Sequence, residues 1–132
     1  MKRRSLLALA LATAVAPAAA FADDFIEYTP GVIETALADG KTVFVDYSAT
    51  WCGTCKRQER VINALRAEDP AYDEALTFVK VDWDTYNRHE VTKSRAIPRR
   101  STLLVLRGDE ELGRIVAGTT EAQIKELMDK GL

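Results

Sequence analysis

Cys52 and Cys55 are the only two cysteines among 132 residues, and they stand two residues apart in Trp51-Cys52-Gly53-Thr54-Cys55-Lys56. The segment lies where a strand-like run, Thr42 to Ser48, gives way to a helical pattern. A sulfur at a helix N-terminus meets unpaired N–H groups and the positive end of the macrodipole, which favours thiolate over thiol. Cys52 is therefore the candidate nucleophile. Cys55, one turn further in, shares its face and can attack a mixed disulfide formed at Cys52. The chemistry this pair supports best is thiol–disulfide exchange. A structural zinc site takes four ligands, and the chain adds only His89. A purely structural staple across so short a loop removes little unfolded-chain entropy.

Positioning such a pair takes a strand that delivers the chain to one end of a sheet and a helix that starts there. Thr42 to Ser48 reads Thr-Val-Phe-Val-Asp-Tyr-Ser, suited to a buried central strand, and Val61, Ile62 and Leu65 continue a helix that stops near Asp69-Pro70. Before them, Thr29-Pro30 and Gly40 bracket a short helix. After them come a strand from Leu76 to Trp83 and a polar helix over residues 85–95. A hairpin follows, with strands Thr102 to Leu106 and Glu111 to Val116, and then a last helix from Thr119 or Thr120 to Gly131. The order predicts an α/β fold, a mixed central β-sheet flanked by helices on both faces, with the dithiol in the crevice at the end of the first central strand.

With this dithiol in place, Val45-Asp46 six residues before it, Ala96-Ile97-Pro98 downstream and Val116-Ala117-Gly118 before the last helix, the chain resembles the thioredoxin family. The resemblance covers residues 30–131. It implies the thioredoxin fold, redox exchange through a Cys52–Cys55 disulfide with no metal or organic cofactor, and a cis peptide before Pro98. By the same resemblance Ile97 and Pro98 face the dithiol, where a client chain adds as an extra strand. Asp46, in an otherwise apolar strand, is either a strand-end carboxylate that reaches water or a buried acid of raised pKa. The resemblance implies the buried acid, which deprotonates Cys55, with Lys80 as the neighbour that tempers it. Trp51 offers an apolar platform to a partner.

Gly53 and Thr54 lie between the cysteines, where residue choice is a main lever on redox potential. Thr54 stands where thioredoxin itself has proline. Arg99-Arg100-Ser101 lengthen the segment after Pro98 beyond the family pattern. Those arginines can favour the thiolate, grip an acidic partner, or form a solvated basic edge. His89 reads as surface, and Trp83 and Tyr86 as core or rim.

The beginning of the chain reads as an export signal. Lys2, Arg3 and Arg4 precede an apolar run from Leu6 to Val15, then small residues up to Ala22. The expected boundaries are residues 1–22 for the signal and 23–132 for one thioredoxin-like domain. Removal of the signal leaves 15 basic against 20 acidic residues, a net charge of −5 that disfavours nucleic acid. The expected setting is the periplasm and the expected state a monomer. The first function expected is reduction of periplasmic disulfide-containing proteins, with a membrane thiol-electron donor of the DsbD type to restore the dithiol. The alternatives are a disulfide donor of the same fold, or a redox-inert domain that holds chains in the groove beside Pro98.

Overall fold

The computed structural model describes residues 24–132, so the expected export segment, residues 1–22, lies outside the described residues. The chain runs β1 (Ile26–Glu27), α1 (Val32–Ala38), β2 (Thr42–Ser48), α2 (Gly53–Glu68), α3 (Ala71–Ala75), β3 (Leu76–Asp82), α4 (Trp83–Tyr86), α5 (Glu90–Lys93), β4 (Thr102–Arg107), β5 (Glu110–Val116) and α6 (Glu121–Asp129). The sheet order is β1-β3-β2-β4-β5. β2 pairs parallel with β3 and antiparallel with β4, and β4 pairs antiparallel with β5. This is the mixed sheet with helices on both faces that the element order implies.

All seven residues of β2 are buried, because it is central and covered on both sides. Its side chains alternate between two cores. Val43, Val45 and Tyr47 join Ile33 and Ala36 of α1 on one face, while Phe44 joins Ile62 and Leu65 of α2 and Ile124, Leu127 and Met128 of α6 on the other. Asp46 is in phase with Phe44. Its carboxyl is therefore on the face that α2 covers.

Three elements differ from the sequence reading. β1 adds a two-residue parallel edge strand on β3, with Ile26 opposite Val79. Pro70 ends α2 as expected but also starts α3, whose Tyr72 is buried. The helix expected over residues 85–95 is split into α4 and α5. The break is stabilised locally, since His89 Nδ1 accepts from the Val91 N–H at 3.1 Å and Thr92 Oγ1 donates to the Tyr86 carbonyl at 2.7 Å. His89 is a half-buried helix cap rather than surface decoration.

Candidate functional site

Cys52 is the N-cap of α2, with an extended backbone (φ −91°, ψ 110°) and a sulfur that accepts from the Cys55 N–H at 3.2 Å. Gly53 and Thr54 form the first turn between the two cysteines. Gly53 is exposed and Thr54 half-buried, so the turn leaves little side-chain mass in front of the sulfurs. Cys52 and Cys55 are joined as a disulfide, with their Cα atoms 5.3 Å apart. Cys55 has no exposed surface and Cys52 retains 2%, so Cys52 is the less covered of the two residues. Ala49 and half-buried Trp83 pack around the pair.

Trp51 is 57% exposed beside the dithiol. Its indole N–H points to the Asp84 carboxylate, with Nε1 2.9 and 3.1 Å from the two oxygens, and the Arg100 guanidinium lies 4.5 Å above its ring. The indole is thus held from both sides, which fixes an apolar plate next to Cys52. Arg99 donates from Nε to the Arg100 carbonyl at 3.0 Å and does not reach the sulfurs through that contact.

The segment before β4 requires a correction. No peptide among the described residues is cis, so the bond before Pro98 is trans. Pro98 is exposed, and Ile97 is buried in the core that contains Tyr47, Val91 and Leu104, not in the cluster around the cysteines. The residue that meets the dithiol is Ser101. Its Oγ lies 3.0 Å from Cys55 Sγ and 3.3 Å from Cys52 Sγ, and the residue is fully buried. The reason is register. Tyr47 pairs with Thr102 across the antiparallel β2 and β4, so the residue before Thr102 sits level with the end of β2, where the chain turns toward Cys52.

Ser101 is fixed on every side. Its N–H donates to the Tyr47 carbonyl at 2.7 Å, and its carbonyl accepts from the Ala117 N–H at 2.9 Å and from Gln58 Nε2 at 3.0 Å. Gln58, buried on α2, also donates to the Gly118 carbonyl at 2.9 Å. These ties hold Ser101 at φ 63°, a left-handed conformation uncommon outside glycine. Neither Ser101 nor Gln58 stands out in the sequence as chemistry. The position of Ser101 immediately before β4 is the signal that could have found it.

Asp46 is fully buried, and neither carboxylate oxygen has a hydrogen-bond partner among the described residues. Burial, then the nearby Glu59 charge, push its pKa up to about 8, while Lys80 pulls the other way and Glu27 adds a smaller push upward. Of the two sequence options, the structure selects the buried acid. Lys80 is the cross-strand partner of Asp46 in register, but its ammonium pairs with Glu59 on α2. That pairing leaves Asp46 without a direct counter-ion. Glu59 and Lys80 also line a cleft of about 600 Å³ with Ser48, Thr50, Lys56 and Asp84, and Asp46 itself does not reach its lining.

The family model described as Thioredoxin matches residues 25–130. Thioredoxin from Echinococcus granulosus is 33% identical over 96 residues, which span 73% of this chain and 83% of that protein. Thioredoxin-1 from Saccharomyces cerevisiae is 32% identical over 98 residues, 74% of this chain and 88% of that protein. Among solved structures, Trxlp from Edwardsiella tarda EIB202 superposes with a TM-score of 0.66 at 33% identity, covering 77% of this chain and 97% of that one. Thioredoxin NaTrxh from Nicotiana alata gives 0.64 at 28% identity, with coverages of 81% and 91%.

Proposed function

Because the chain belongs to the thioredoxin family and is a thiol–disulfide oxidoreductase acting through Cys52 and Cys55, we propose that it works in the periplasm as a reductant of protein disulfides. The observation that carries the chemistry is the Cys52 sulfur at the head of α2, capped by the Cys55 N–H, with Cys55 behind it and Asp46 buried on the face below. In the reduced form the Cys52 thiolate attacks a client disulfide. A Cys52–client bond forms, the client S–S bond breaks, and the departing client sulfur takes a proton from water. Cys55 then gives up its proton and attacks Cys52 Sγ, closing the Cys52–Cys55 disulfide and breaking the Cys52–client bond, and the second client sulfur leaves as a thiolate that takes a proton from water. The client gains two electrons and two protons.

Asp46, once ionised, is the acceptor for the Cys55 proton. A carboxyl at about 8 is close to the roughly 8.5 of a free thiol, so transfer in either direction costs little. A water bridging the two groups would carry the proton. The exposed indole of Trp51, with Arg100 over its ring, would border a client chain at Cys52.

An oxidising compartment requires that the dithiol be restored, and a membrane thiol-electron donor of the DsbD type meets that need. The periplasmic setting is supported by the composition of residues 1–22. Mass spectrometry of the mature chain in a periplasmic extract tests the setting, with Asp23 expected first.

A second reading, disulfide donor rather than reductant, draws support from the donor that faces the Cys52 sulfur, because stabilising a thiolate favours the dithiol. Equilibration with glutathione separates the two. A potential near −270 mV supports the reductant and one near −120 mV the donor, to order of magnitude.

A further inference from the structure

Thiolate chemistry at this site has two moments of charge. Cys52 carries it in the resting dithiol, and Cys55 carries it when it attacks, or when it leaves in the reverse direction. The Cys55 N–H faces only the first of these sulfurs. Ser101 Oγ lies 3.3 Å from Cys52 Sγ and 3.0 Å from Cys55 Sγ, within hydrogen-bond reach of both. We propose that the Ser101 hydroxyl is a catalytic hydrogen-bond donor that serves both sulfurs, turning its O–H toward whichever holds the negative charge.

The surroundings fit a fixed donor. The residue is fully buried, its N–H and carbonyl are both engaged, and its hydroxyl has no other hydrogen-bond partner among the described residues than the two sulfurs. A hydroxyl rotates about its C–O bond at little cost, so one donor can follow the charge across the S–S bond without backbone movement. The left-handed backbone at φ 63° points the same way. Glycine would occupy that conformation with less strain, yet a side chain stands there and its only polar atom meets the reacting sulfurs. This inference deepens the exchange reading and rests on it.

The test uses Ser101→Ala and Ser101→Gly in the full-length mature chain. Both remove the hydroxyl, and glycine also relieves the backbone, so the two variants should diverge in stability and agree in chemistry. The charged groups on the elements around the dithiol remain unchanged: Asp46 on β2, Lys80 on β3, Lys56 and Glu59 on α2, Asp84 on α4, and Arg100 in the loop.

Cys52 alkylation by iodoacetamide across pH reads its thiolate, and equilibration with glutathione reads the balance of dithiol and disulfide. The midpoint for Cys52 should rise by about one pH unit in both variants, with the glutathione balance moving about tenfold toward the disulfide. A midpoint unchanged in both variants overturns the inference. A shift in Ser101→Ala that is absent from Ser101→Gly also overturns it, because strain and not the hydroxyl would then be responsible. Failure of the wild-type protein to exchange with any disulfide would instead remove the broader reading, and the alkylation midpoints would still report on the hydroxyl.

Discussion

At the scale of single residues, Asp46 has the clearest consequence. The folded protein keeps its proton up to about pH 8, whereas an unfolded aspartate loses it near 3.8. Between those values the folded state holds more protons, so the contribution of Asp46 to stability declines as pH rises from about 4 to 8 and is level above. Asp46→Asn carries no such dependence. Its stability relative to wild type should therefore grow across that window, by no more than about 1.4 kcal/mol per pH unit, in urea unfolding at a series of pH values. The same substitution should slow release of the Cys55-resolved product at least about tenfold, measured by single-turnover reduction of a disulfide peptide. Glu59 and Lys80 act on Asp46 with opposite sign. Glu59→Gln should move the Asp46 midpoint down and Lys80→Met up, followed through the carboxyl signal of Asp46 in NMR titration.

At the scale of elements, the dithiol depends on how the end of β2, the head of α2 and the start of β4 are tied together. Gln58 is the tie from α2, with one amide group donating to both Ser101 and Gly118. Gln58→Leu should cost about 1–2 kcal/mol in urea unfolding, since the buried Ser101 carbonyl and the half-buried Gly118 carbonyl each lose a donor. Much of this arrangement was readable in the sequence. The strand Thr42–Ser48 and the helix that follows it announced themselves by composition and period, and they place Cys52 and Cys55 correctly. Asp46 was legible as an oddity in an apolar strand, but only packing could choose between water and burial. The length of the loop before β4 is legible, but its contact with the sulfurs is not, because a proline is a conspicuous landmark and a serine after two arginines is not. Strand register, rather than residue type, decides which of them meets the sulfurs, and β4 begins at Thr102 as its composition implies, which puts Ser101 level with the end of β2. β1 and α3 are too short to show a period, and their existence follows from tertiary pairing alone.

At the scale of the whole molecule, the first described residues belong to the fold. Phe25 meets Phe78 edge-on with centroids 5.8 Å apart, the Arg66 guanidinium lies 5.5 Å from the Phe25 ring, and Ile26 and Glu27 pair with β3. A chain that begins at Tyr28 should be less stable by about 1–3 kcal/mol in chemical denaturation, while one that begins at Asp23 keeps these contacts.

The 2% of Cys52 left uncovered has a final implication for kinetics. A residue covered to that degree should discriminate by size among whatever approaches it. A slender electrophile should meet Cys52 faster than a wide one, which must also clear the exposed neighbour Trp51. Disulfides at the crest of pliable chains should outpace those recessed in stiff folded domains, whatever their relative driving force. Comparison of alkylation rates for iodoacetamide and a bulky maleimide on the reduced protein would gauge how selective that aperture is.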